Sequence, residues 1–109
     1  MAPTQLEIKV RALQRLVKEE KYYINELEEQ KAHIERLKQD PQIDQYDLKK
    51  QVEVMEDTKR LLPKFYEKVE QFFADLSNFV KEYQGEEDLT EAKKALESAK
   101  VVLDKNKSA

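Results

Sequence analysis

The sequence predicts an all-α protein: an up-down-up antiparallel three-helix bundle, coiled-coil-like, with a long kinked second helix and a shorter third. Three observations carry that expectation. Apolar residues recur in alternating four- and three-residue steps along most of the chain, which keeps them on one face of a helix, whereas a strand needs a period of two. One glycine and three prolines in 109 residues leave little material for turns. Charged residues make up 39% of the chain, well above the roughly 25% of an average domain, as long helices with solvated outer faces require. At this length the expectation is a single domain, residues 1–109, sharing one core.

Helix one is expected over about 5–38. Thr4 and Glu7 form an S/T-x-x-E capping box, in which each side chain satisfies a backbone donor at the helix start. The seam behind it runs Leu6, Val10, Leu13, Val17, Glu20, Ile24, Leu27, Lys31 and Ile34, widened by Leu16, Tyr23 and Leu37. Asp40-Pro41 then stops the helix, because proline disfavours helical geometry at the residue before it, and 39–43 reads as a short turn.

Helix two is expected over about 44–84, with Asp44 as its cap. Its seam is Leu48, Val52, Met55, Lys59, Leu62, Tyr66, Val69, Phe73, Leu76, Val80 and Tyr83. Pro63 lies inside it and offers no N–H to the carbonyl of Lys59, at a cost of about 3 kcal/mol. The seam crosses Pro63 in phase, so one kinked helix is expected rather than two. Gly85 is positioned to close the helix in the left-handed conformation.

Asp88 and Glu91 make a second capping box, opening helix three over about 88–105, with the seam Leu89, Ala92, Leu96, Ala99 and Leu103 and a tail that frays from Asn106. Short connections force neighbouring helices to run antiparallel. Phe65, Phe72 and Phe79 widen the stripe of helix two after Pro63, whereas Gln51 and Thr58 hold the equivalent places before it. The core is therefore expected where three helices meet, and the hairpin end is expected to be two helices thick. Glu20 and Lys59 interrupt apolar seams at similar heights and are expected to pair.

The same residues exclude several functions. The net charge of −3 is too balanced and interspersed for a polyanion-binding surface, so no nucleic-acid partner is expected. Cysteine is absent, no apolar run approaches the roughly 20 residues of a membrane span, and charges fill the stretch where a signal peptide would be apolar. A cytoplasmic protein without a membrane partner is the expectation. No nucleophile stands beside a base, no glycine-rich loop cradles phosphate, and one histidine, His33, begins no metal cluster. No enzyme, cofactor or metal is expected; Glu7 with Arg11 and Glu56 with Arg60 read as i,i+4 surface pairs. Ile8, Tyr22, Val54 and Leu61 are apolar yet off the seams, and with Tyr23, Ile34, Leu37, Tyr46 and Val52 they suggest an incompletely buried, protein-binding face.

Tyr46-Asp47-Leu48-Lys49-Lys50-Gln51, followed by Asp57-Thr58-Lys59-Arg60-Leu61-Leu62-Pro63, resembles the tubulin-specific chaperone A family, also called tubulin-binding cofactor A. The opening from Met1 to Val10, Lys18-Glu19-Glu20 with Tyr22-Tyr23, and Tyr83-Gln84-Gly85 are similar to its fungal form, and essentially the whole chain is covered. The family commonly has proline before the tyrosine, whereas Gln45 stands here, which loosens the expected start of helix two. The resemblance implies a cytoplasmic, microtubule-cytoskeleton-associated cofactor that binds quasi-native β-tubulin released from the chaperonin, before other tubulin-folding cofactors assemble the αβ heterodimer. It implies binding through helical faces, and on this sequence that surface is expected at the motif positions Tyr46, Asp47, Leu48, Lys49, Lys50 and Gln51, with the outer residues Val54 and Leu61. A competing expectation is a self-associating helical adaptor, a homodimer without tubulin specificity.

Overall fold

The computed structural model describes residues 2–108, with side chains through Asn106; Met1 and Ala109, the ends of the expected domain, lie outside the described residues. Helix α1 is Gln5–Lys38, α2 is Gln45–Lys81 and α3 is Thr90–Ser108. The all-α class and the shorter third helix are thus as the repeat requires, while α2 stops three residues before the expected 84 and α3 is displaced to 90–108. The tail expected to fray from Asn106 is helical through Ser108.

The ends are set by local chemistry. Thr4 Oγ1 accepts a hydrogen bond from the Glu7 N–H at 3.2 Å, and Ile8 N–H bonds the Thr4 carbonyl at 3.0 Å, so Thr4 caps α1. In the turn, Gln42 N–H bonds Asp40 Oδ1 at 2.9 Å and Ile43 N–H the Asp40 carbonyl at 3.3 Å, which makes Asp40 the organiser of the reversal. Asp44 caps α2 through the Tyr46 N–H at 2.8 Å. α2 then runs unbroken through Pro63, as the in-phase seam demands.

Gly85 departs from expectation: no glycine among the described residues has positive φ, so it does not close α2 in the left-handed region. Its smallness serves a close approach, because a Cβ there would overlap the Oη and Cζ of Tyr83. That ring folds beneath the loop and its Oη accepts the Glu87 N–H at 3.1 Å. At the start of α3, Asp88 Oδ1 accepts both the N–H and the hydroxyl of Thr90, at 2.9 and 2.6 Å. Those bonds, first the hydroxyl's and then the backbone's, hold the Asp88 carboxyl below its ordinary range, assisted by Lys93 and Lys94. Glu91 turns to Lys94 at 3.7 Å, so the capping box expected with Asp88 is an Asp88 cap with a separate surface pair.

By its contacts the chain divides into two units: one joins the chain up to Glu20 with the chain from Phe65 onward, and the other is Lys21–Lys64. In the first unit, Lys9 pairs with Asp75 and Glu20 with Tyr66, so the α1 and α2 segments run in opposite directions. One hollow is lined by Val10 with Ala92 and another by Val17 with Ser98, so α1 and α3 run the same way. Leu13, Val69 and Leu76 are fully buried at the centre, with Leu6, Val10, Leu16 and Phe65 around them. α3 contributes Ala92, Ala95, Ala99 and Val102. Leu96 and Leu103, placed on its expected seam, are only half-buried: the buried stripe is shifted so that methyl groups face the neighbouring helices and the longer side chains lie at the edge. Phe72 and Phe79 are also half-buried, each with a lysine over its ring, Lys68 at 5.8 Å and Lys9 at 5.6 Å.

The Lys21–Lys64 unit is an antiparallel hairpin of the α1 and α2 segments. Of the buried apolar residues described, only Leu27 and Ile34 belong to it, which is the thin packing the narrow stripe predicts. Thr58 is buried there as well; its hydroxyl accepts from Gln30 Nε2 at 3.3 Å and donates to the Val54 carbonyl at 3.2 Å. The buried Gln30 Oε1 has no partner. The unit boundary falls beside Pro63, where the sequence pattern changes width.

The expected pairing of Glu20 with Lys59 does not form. Glu20, 6% exposed, accepts the Tyr66 hydroxyl at 3.0 Å, while Lys59 lies 3.7 Å from Glu56 with its side chain partly in water. A neutral phenol satisfies the carboxylate without desolvating an ammonium, which avoids the cost of burying a second ion. Arg60 takes Asp57 at 2.8 Å rather than Glu56, and Arg11 lies 3.6 Å from Glu7 as its spacing requires.

Candidate partner-binding face

The outer face of α2 in the Lys21–Lys64 unit is built from positions the helical repeat turns away from Leu27 and Ile34. Each residue advances about 100° around the axis, so Tyr46, Lys50, Val54 and Leu61 fall on one side, whereas Leu48 is about 200° from Tyr46 and faces the opposite way. Exposure follows that division. Tyr46 is 68% exposed, Val54 46% and Leu61 53%, while Leu48 and Gln51 are half-buried. Asp47, Lys49 and Lys50 are exposed, and the Lys50 ammonium sits 5.8 Å from the centre of the Tyr46 ring. Tyr46, Lys49, Lys50 and Glu53 enclose a shallow hollow of about 120 Å³.

The eight residues expected to bind a partner therefore do not form one surface. Tyr46, Lys50, Val54 and Leu61 share a ridge, Asp47 and Lys49 flank it, and Leu48 and Gln51 turn toward the packed side. Ile8 and Tyr22 are exposed as expected, and His33 is exposed without metal-binding company. Val101, 54% exposed on α3, went unmarked because it adjoins the buried Val102 and sequence spacing alone does not separate the two.

Among the described residues, no group of three or more His, Cys, Asp or Glu is placed to hold a metal ion, and no helix is long and apolar enough to cross a membrane. Among the described residues Tyr66 is the most strongly perturbed titrating group: burial, then its hydrogen bond to Glu20, then the Glu20 charge push its pKa up to about 12. It packs edge-on against Phe65, and its hydroxyl is already spent on Glu20, which suits a structural bond and not acid/base chemistry.

Residues 1–97 match the family model for tubulin binding cofactor A. The chain belongs to the tubulin binding cofactor A family. Tubulin-specific chaperone A of Saccharomyces cerevisiae is 59% identical over 104 residues, covering 95% of this chain and 98% of the relative. The human tubulin-specific chaperone A is 33% identical over 100 residues, covering 92% and 88%. A solved structure named Rbl2p, β-tubulin binding post-chaperonin cofactor, superposes with a TM-score of 0.87 at 57% identity, covering 93% of this chain and 99% of that one. The relatives are named as chaperones and cofactors, not as enzymes.

Proposed function

We propose that this protein is a cytoplasmic tubulin-folding cofactor, which binds quasi-native β-tubulin after its release from the chaperonin and holds it ahead of heterodimer assembly. The observation that carries the reading is end-to-end likeness, in sequence and fold together, to a cofactor named for binding β-tubulin. Catalysis plays no part: the protein acts by covering surface that the client has yet to bury. Its own exposed apolar residues suit that task, because a Tyr, Val and Leu ridge can dock on a helix or sheet face while the flanking charges keep the free protein soluble.

On this reading the client meets the outer side of α2 at Tyr46, Lys50, Val54 and Leu61, with Asp47 and Lys49 at the rim, whereas Leu48 and Gln51 support the ridge from within. Purified β-tubulin and α-tubulin, offered separately to the immobilised protein, provide the test. Retention of β-tubulin and not α-tubulin is expected, and Val54→Asp with Leu61→Asp should weaken retention about tenfold or more. A folded protein that retains no β-tubulin would sink the reading; unchanged retention by the double variant would move the contact off this ridge.

A further inference from the structure

A second surface lies in the first unit, between α1 and α3. The two helices run side by side in the same direction, and the α3 stripe that faces inward is alanine at 92, 95 and 99. Methyl groups bring backbones together without filling the outer cleft, so the line between the helices stays hollow. Its first hollow, about 480 Å³, has Leu6, Val10 and Ala92 at its base, and its second, about 190 Å³, has Val17 and Ala95. Their lining residues are offset by about six positions along α1 and about four along α3, which is about 9 and about 6 Å at 1.5 Å per residue. That interval suits two apolar side chains one to two turns apart on one inserted helix, the spacing by which amphipathic helices anchor in grooves.

The charges along the rim are sorted by position. The first hollow is edged by Glu7, Glu87, Asp88 and Glu91, with Arg11 the single cation, and Arg11 lies 3.6 Å from Glu7. The second is edged by Gln14, Ser98 and Lys94, and the exposed Lys18 follows one turn beyond Gln14 on α1. The acidic end also holds the N-termini of α1 and α3, whose dipoles point their positive ends there. A bare cation is not the natural occupant, because those dipoles oppose it. The C-terminus of a helix suits the site better: its partial negative charge meets the two N-termini, and basic side chains in its last turn meet the carboxylates.

We infer that the α1/α3 groove receives an amphipathic helix of the bound client, antiparallel to both walls, with basic residues at its C-terminal end and acidic residues toward Lys18 and Lys94. The inference rests on the proposed β-tubulin reading and adds to it a contact separate from the α2 ridge. A client held before its final assembly presents helices whose apolar stripes lack their eventual neighbours, and the groove supplies a temporary one. A second copy of this chain is the poorer occupant through α3's inner stripe, since that stripe is already buried against its own bundle.

Two variants test the groove while leaving the core alone. Gln14→Trp with Ser98→Phe fills the cleft from exposed rim positions. Glu91→Lys with Lys94→Glu weakens the rim polarity yet keeps the net charge and an opposite-charge pair at the same two positions of α3, now 3.7 Å apart. Both should retain wild-type helicity by circular dichroism and bind β-tubulin about tenfold or more weakly. Full affinity in both folded variants overturns the groove. If Val54→Asp/Leu61→Asp weakens binding at the same time, the β-tubulin reading stands without it; if the wild type binds no β-tubulin, the reading and the groove are lost together.

Discussion

Replacing Tyr66 by phenylalanine isolates the part-buried hydrogen bond between α1 and α2 in the first unit. The ring and its edge-on packing against Phe65 stay, and only the hydroxyl that donates to Glu20 at 3.0 Å is removed. Glu20 is 6% exposed, so water does not readily replace the lost donor. A hydrogen bond to an ionised group is worth about 1.5–3 kcal/mol, and because Tyr66 itself is only half-buried the lower end applies, about 1.5 kcal/mol. For a chain of this size that is a fall in Tm of about 6 °C. Glu20→Gln, which keeps an acceptor for the phenol, should cost less, and Glu20→Leu with Tyr66→Phe should recover much of the loss by removing both partners. The pH dependence has a definite sign. The fold raises the Tyr66 pKa from 10.0 to about 12, so the phenol holds its proton more tightly when folded. Its contribution is fully present below pH 10 and is lost as the pH rises through 12, when phenolate and carboxylate face each other. Thermal melts followed by circular dichroism between pH 7 and 12, with tyrosine ionisation read by ultraviolet absorbance, would check both points. A Tyr66→Phe protein that melts within about 1 °C of wild type and loses stability over the same alkaline range would refute the reasoning.

Three other substitutions probe other parts of the fold. Ala99→Leu forces three extra carbons into a site with 0% exposure and should cost about 1–3 kcal/mol or more in urea denaturation; a neutral result would mean that α3 packs loosely. Gly85→Ala should displace the Tyr83 ring and break its bond to the Glu87 N–H, lowering stability by about 1 kcal/mol; the cost should vanish in a Tyr83→Ala background. Thr58→Val alone should destabilise the hairpin, since it strands Gln30 Nε2 beside the unpartnered Oε1, whereas Thr58→Val with Gln30→Leu should exceed wild-type stability by about 1 kcal/mol. Amide hydrogen exchange within 21–64 reads that gain locally, and a double variant no more protected than the single one counts against it.

What the sequence revealed and what it hid follow from the range of the interactions involved. Thr4, Asp44 and the Asp40 turn act on backbone groups two to four residues away, so their chemistry is complete within a short stretch of sequence. The in-phase seam across Pro63 and the narrowing of the stripe before it are likewise local patterns, and they give the unbroken α2 and the thinly packed hairpin. The partner of Glu20 is a tertiary matter: Lys59 matched it in charge, but Tyr66 matched it in burial cost. Gly85 was misread because two different needs, positive φ and room for a neighbouring ring, both select glycine. At and beyond the start of α3, Leu89, Leu96 and Leu103 share a heptad position that looks like a seam, yet the buried stripe runs through Ala92, Ala95, Ala99 and Val102. Hydrophobicity ranks leucine above alanine, whereas close packing of helices ranks alanine first. The stretch 46–51, expected to meet a partner, was legible as a string and not as a surface, since six consecutive residues encircle a helix and only some of them face outward.

The alanine stripe also links stability to binding. Each buried leucine would contribute more apolar area than an alanine, at about 25 cal/mol per Å², so α3 gives its unit less than a leucine-faced helix of equal length would. That deficit is offset by Leu13, Val69 and Leu76 at the centre and by the Glu20–Tyr66 bond, which leaves the α1/α3 cleft free to stay hollow. A helix placed in the cleft buries apolar surface on both partners while leaving the fold's own contacts intact. Binding then stabilises the bundle by mass action, in proportion to the logarithm of client concentration over Kd, and the client is stabilised by the same coupling. A chaperone that captured its client by unfolding itself would spend binding energy on its own rearrangement. Here a fully buried centre, capped helices and a methyl-lined cleft keep that cost low, so the area left unfilled in the free protein is returned as affinity when the client helix arrives.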